Sequence, residues 1–157
     1  LRMAPFQRGS KNKESIDMAK VEWESSLSVG IELIDAQHKQ WIEHLNDVGA
    51  AVEEHHGPDR ITDALSFLIG YTKTHFDTEE KVMAEHDYPD LAAHRAKHES
   101  MKDTLADLVR DFEEEGATHE LANAIDTMLV SWLKRHIRTV DHLLADFLKE
   151  KGISPAA

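Results

Sequence analysis

Four stretches of the chain repeat apolar residues at steps of three and four, the period of a helix with one buried face. The first covers about 31–56 and aligns Ile34, His38, Trp41, Leu45, Val48 and Val52. The second, about 59–86, aligns Ile61, Leu65, Leu68, Thr72, His75, Glu79, Val82 and His86. The third, about 90–115, carries Leu91, His94, His98, Met101, Leu105, Leu108 and Phe112. The fourth, about 119–150, has Leu121, Ile125, Met128, Trp132, His136, Leu143 and Phe147 on or near one face. Breakers separate them. Gly57-Pro58 reads as the end of the first, with Gly57 just past its cap and Pro58 unable to continue it. Asp87-Tyr88-Pro89 ends the second, and Pro89 suits the first turn of the third. Gly116 stops the third, Thr118 can cap the fourth and Gly152 closes it. No stretch alternates with the period of a strand. Short connections between long helices make neighbours antiparallel, so the expected fold is all-α, an up-down-up-down antiparallel four-helix bundle.

Residues 21–30 place Trp23, Leu27 and Val29 in an N-terminal arm that can pack on the bundle. Residues 1–20 lack helical period and carry Arg2, Arg8, Lys11, Lys13 and Lys20 against Glu14 and Asp17. They read as a tail, linker or tag, which leaves 21–152 as the folded domain. The chain opens on Leu1 and so reads as a fragment or as carrying added residues.

Composition narrows the chemistry. A length of 157 residues fits one domain. With no cysteine, disulfides, Cys-type zinc sites and iron–sulfur clusters are excluded, so any metal must be held by nitrogen and oxygen. A formal charge of −12 argues against nucleic acid and anionic membrane as partners. No apolar run approaches the ~20 residues of a membrane span, and no secretory segment is visible. The expected location is the cytoplasm, with no membrane contact by this domain.

Against that background the polar residues on the apolar stripes stand out: His38, His75, Glu79, His94, His98 and His136. A buried imidazole or carboxylate must be paired, hydrogen-bonded or metal-bound, since leaving it alone costs several kcal/mol. His75 and Glu79 are four apart, as are His94 and His98, so each pair points to one spot. Five imidazoles with one or two carboxylates exceed what one tetrahedral zinc takes and suit two first-row metals. Ligand type alone leaves iron, manganese, zinc and copper open. Other polar residues have plainer readings. His44, His55, His56, His119 and His142 read as solvated, Glu80 as surface, and His86 as a core or rim histidine. Glu53-x-x-His56 is half of a ferritin-type di-iron motif without a second copy. Asp141 lies five residues after His136, about 140° round a regular helix, so spacing by itself makes it a solvated acid unless local widening of the helix or a reaching bridge brings it in.

These residues resemble the hemerythrin family, specifically its bacterial members. The matching motifs are Gly30-Ile31 with Ile34-Asp35-x-x-His38; His75-Phe76-x-x-Glu79-Glu80 followed by Met83 and Tyr88-Pro89; His94-x3-His98; and Trp132-Leu133-x-x-His136-Ile137-x3-Asp141. The resemblance spans about residues 21–150. It implies two iron ions joined by an oxo or hydroxo group. His94, His98 and His136 would hold one iron. His38 and His75 would hold the other, with one position left open for dioxygen, and Glu79 and Asp141 would bridge the two. Phe76, Trp132, Leu133 and Ile137 flank these residues and are candidates for an apolar oxygen pocket.

The function this implies is reversible dioxygen binding by a carrier, store or delivery protein, with no catalytic residues. The alternative is an oxygen- or redox-sensing module fused to an upstream signalling domain. A di-iron oxidase or peroxidase is disfavoured by a ligand set rich in histidine and poor in carboxylate. A metal-free bundle is the remaining reading.

Overall fold

In a computed structural model, residues 20–54 and 57–155 are described. They form the expected all-α bundle. Helix α1 is Glu32–Glu53, α2 is Pro58–Glu85 and α3 is Leu91–Glu115. The fourth helix, α4, runs over 119–150 as three α-helical pieces, His119–Ala124, Ser131–His136 and His142–Glu150. Between them lie two π-helical turns, Ile125–Val130 and Ile137–Asp141. No strand occurs among the described residues. Helix α1 packs on α2, α2 on α3 and α3 on α4.

The helix ends follow local chemistry, with two departures from expectation. Gly57 is the N-cap of α2 rather than a residue closing α1, and Pro58 is the first residue of α2. Proline fits there because its fixed φ suits a helix and its missing N–H is one that the first turn leaves unbonded. Pro89 precedes α3 instead of entering it, since Asp90 is the N-cap. The α2–α3 corner is closed by Asp87 at φ 53°, with the Tyr88 N–H donating to the Met83 carbonyl at 2.9 Å. That is the Schellman pattern with an aspartate in the left-handed position usually taken by glycine. Thr118 caps α4 as expected, its Oγ1 accepting from the Leu121 N–H at 3.0 Å. Gly152, at φ 67°, terminates it.

Helix α4 corrects the expected stripe. Met128 and Leu143 are exposed (53% and 58%), while their neighbours Leu129 and Leu144 are buried. Each π turn closes i→i+5 and so accommodates one extra residue, which rotates the inward face by one position relative to a regular helix. In α2, likewise, Met83 is fully buried and Val82 only packs against the core.

The arm is fastened to two helices. The Val21 N–H donates to Asn46 Oδ1 at 2.9 Å, and Asn46 Nδ2 donates back to the Val21 carbonyl at 2.8 Å. Asp35 receives the Val29 N–H at 2.8 Å and the Ser28 hydroxyl at 2.6 Å. A short 3-10 turn, Ser25–Leu27, lies against the second π turn, where Arg138 donates to Glu24 and Ser26. Leu27 and Val29 are buried and Trp23 packs against the core. The arm therefore braces the segment of α4 that carries Asp141.

Candidate metal centre

The side chains of His38, His75, Glu79, His94, His98, His136 and Asp141 are all buried, none more than 3% exposed. They come from all four helices. They form two overlapping groups: His94, His98 and His136 with Glu79 and Asp141, and His38 and His75 with the same two carboxylates. Within each group the potential ligand atoms lie within 4.8 Å of one another. The carboxylates are common to both, so each is placed to span two ions. The first group offers five protein ligands and the second four, so the His38–His75 side has the more open position.

Asp141 reaches this point because of the second π turn. With i→i+5 closure, about 4.4 residues complete a turn, so the fifth residue after His136 falls near its face instead of 140° away. Asp141 Oδ1 lies 3.2 Å from His136 Nε2 and 3.1 Å from His94 Nε2, and Oδ2 lies 2.9 Å from His38 Nε2. On α2, regular i,i+4 spacing puts Glu79 Oε1 2.6 Å from His75 Nε2.

Two imidazoles are oriented from behind. His75 Nδ1–H donates to Gln37 Oε1 at 2.7 Å, and His98 Nδ1–H donates to Glu80 Oε2 at 3.4 Å. Since both partners are acceptors, the protons sit on Nδ1 and the Nε2 lone pairs point inward. Glu80 is thus not the surface residue its place off the stripe suggested. Its side chain is only 13% exposed and also accepts from Arg95 Nε at 2.8 Å. Gln37, next to His38, carried no sequence signal. Its role comes from a neighbouring helix.

The donor atoms fit a pair of cations. Eleven buried side-chain atoms here, including Nε2 of His38, His75, His94, His98 and His136 and all four carboxylate oxygens, have no aligned hydrogen-bond partner. At roughly 1–3 kcal/mol for each unsatisfied group, the cost is of the order of the whole stability of a domain, ~5–15 kcal/mol. Nitrogen and oxygen atoms about 3 Å apart across the centre, such as His38 Nε2 and Asp141 Oδ2 at 2.9 Å, stand at the spacing of atoms that share a metal at ~2.0–2.2 Å.

The electrostatics prepare the imidazoles for ligation. Burial, aided by His38, holds His75 well below the usual histidine range. Burial, then His94 and His136, brings His98 down to about 2. Burial also lowers His136, against the pull of Asp141. All three are neutral near pH 7 and offer lone pairs without first losing a proton. Burial and the charge of Asp141 push Glu79 well above the carboxylate range. Burial acts the same way on Asp141, but His136, His38 and His94 outweigh it and hold that carboxyl low.

Aromatic rings wall the centre. Phe76 is fully buried and stacks on His98, centroids 3.8 Å apart and planes 5° from parallel. Trp132 stacks on His136 at 4.2 Å and 12°. Both rings therefore cover the three-histidine group. Trp41, read from the sequence only as a stripe residue, lies 5.4 Å from His75 and touches Phe76 and Trp132. Leu133 and Ile137 are buried. Trp41 and Leu133 also border a cavity of about 10 Å³ lined wholly by apolar side chains, among them Leu68, Met101 and Leu129. Without polar partners, such a space stays dry.

Of the remaining histidines, His86 is half-buried at the rim, and His119 and His142 are exposed. His44 is half-buried beside Tyr71, 5.1 Å between rings. His55 and His56 lie outside the described residues, as do residues 1–19 of the tail.

A four-helix bundle with two overlapping imidazole–carboxylate clusters at its centre defines a cation-binding helical protein. Residues 29–148 match the hemerythrin HHE cation binding domain. The chain belongs to the hemerythrin family. It is 34% identical over 132 residues to a bacteriohemerythrin of Stenotrophomonas maltophilia, covering 84% of each chain. It is 32% identical over 131 residues to a bacteriohemerythrin of Methylococcus capsulatus, covering 80% of this chain and 95% of that one. A crystal structure of wild-type hemerythrin superimposes with a TM-score of 0.71 at 27% identity, covering 82% of this chain and 97% of that one.

Proposed function

We propose that this protein binds dioxygen reversibly at a pair of non-heme irons, acting as an oxygen carrier, store or delivery protein. His94, His98 and His136 would hold one iron and His38 and His75 the other, with Glu79 and Asp141 shared. When bound, a ferrous pair would supply the two-electron redox chemistry that reversible dioxygen binding needs. The observation that carries the reading is the unequal division of the ligand set, five protein groups on one side and four on the other, inside a buried apolar wall.

The chain's own residues do the rest. Gln37 and Glu80 fix two imidazoles with their lone pairs inward, so the donor set is organised before the metal arrives. Phe76, Trp41 and Trp132 limit the tilt of the rings they contact. The same rings, with Leu133 and Ile137, exclude water. Keeping water and its protons away from the centre is the part these side chains would play in making oxygen binding reversible. Among the described residues no helix is long and apolar enough to cross a membrane.

The test is the visible absorption spectrum of the anaerobically reduced, iron-loaded protein, exposed to air and then deoxygenated. Colour that appears in air and fades on deoxygenation is the expected result. Colour that persists would replace reversible binding by one-way oxidation, and no colour at all would remove the paired-iron reading.

A further inference from the structure

The two imidazoles held from behind have partners of different charge. His75, in the four-ligand group, donates to the neutral amide of Gln37 at 2.7 Å. His98, in the five-ligand group, donates to the carboxylate of Glu80 at 3.4 Å. That carboxylate is in turn tied to the half-exposed Arg95 guanidinium at 2.8 Å. Glu80 follows the shared ligand Glu79 on α2, and Arg95 follows His94 on α3, so the chain Arg95–Glu80–His98 runs from the surface to the centre.

We infer that this pattern makes the two metal positions electronically unequal. Glu80 is a positioning residue that draws the Nδ1 proton of His98 and makes its Nε2 the stronger donor. Gln37 orients His75 without adding charge. The inference rests on the proposed two-iron reading. A carboxylate behind a ligating imidazole raises its basicity, and negative charge nearby favours the more highly charged ion. An iron held by His94, His98 and His136 would therefore be the easier of the two to oxidise, and one held by His38 and His75, in the smaller ligand group, would better retain its electrons. Arg95 opposes Glu80, so it sets how much of that charge His98 feels.

Two charge changes of opposite sign test this. Glu80→Gln keeps an acceptor for His98 but removes the charge, and Arg95→Gln removes the hydrogen-bonded counter-charge of Glu80, leaving only the more distant Lys102 ammonium to offset it. Redox titration of the iron-loaded proteins, with Mössbauer spectra to identify each iron, should show the potential of the three-histidine iron rising in E80Q and falling in R95Q. A purely structural role would move both variants the same way. Cobalt(II) titration should show E80Q holding both ions and Glu80→Ala losing about 10- to 100-fold in affinity at one site. In the metal-free protein, nitrogen chemical shifts should place the His98 proton on Nδ1 in the parent and in E80Q, and that preference should be lost in E80A. Finding the proton on Nε2 in the parent, or potentials indifferent to both charges in proteins that take up iron normally, would overturn the inference alone. Failure of the parent to take up iron would overturn the two-iron reading and this inference with it.

Discussion

Glu79→Gln should move the metal-free and metal-loaded proteins in opposite directions. Glu79 is about 1% exposed, and with protein alone around it both carboxylate oxygens lack an aligned partner. Burial and Asp141 push its carboxyl well above the ordinary range. The sign follows from linkage. The folded chain binds a proton there that the unfolded chain does not, so the stabilisation is present in acid and lost as pH rises. At pH 7 the ceiling on this cost is the work of protonating an ordinary glutamate, about 3.7 kcal/mol. Glutamine removes the cost and gains a contact, because its amide can donate to His75 Nε2, which lies 2.6 Å from Glu79 Oε1. The metal-free variant should therefore be more stable by up to ~3.7 kcal/mol, about 7–15 °C in Tm for a domain of this size. Metal reverses the order. Glu79 belongs to both clusters, so losing its charge weakens both sites, and the roughly 2.7 kcal/mol that metal at 100 times its Kd confers on the parent should vanish. Urea unfolding or calorimetry with and without cobalt(II) or iron(II) reads both arms. A variant less stable than the parent in both forms would refute the reasoning, because Glu79 would then be a structural residue.

Three further outcomes are expected. Between pH 7 and 5 the metal-free protein should lose stability, because His75, His98 and His136 are held below the usual histidine range and the unfolded chain takes up protons first. At pH 5 His98, brought down to about 2, contributes about 2 kcal/mol by itself; His75 and His136 act in the same direction, Glu79 acts against them, and a flat urea-midpoint profile would contradict this. Moving the carboxylate one position back, in the double variant Val140→Asp/Asp141→Val, should abolish binding of two metals; a regular helix would favour position 140, so parent-like stoichiometry in a metal titration would disprove the π-turn account. Replacing buried Ile137 by glutamate should admit water and speed autoxidation of the oxygenated protein, and an unchanged decay of its visible band would remove Ile137 from the pocket wall.

The sequence by itself determined the four helices, the bundle and the inward stripe carrying five histidines and Glu79. Apolar period is a local property, and a buried polar residue on such a stripe betrays itself by the cost of leaving it unpaired. Asp141 was legible only through family resemblance, because regular helical geometry turns it away from His136. Only the tertiary structure decided the rest. The two π turns in α4 are stable because packing rewards the shifted face, burying Leu129 and Leu144 and bringing Asp141 to the centre while Met128 and Leu143 turn outward. Gln37 and Glu80 became partners of His75 and His98 through contacts between helices that spacing within one helix does not encode. Glu80, off the stripe of its own helix, looked solvated until α3 supplied the imidazole and guanidinium that enclose it. Periodicity fixes which face of a helix is buried, but what each buried group meets there depends on the neighbouring helices and on how their turns are wound.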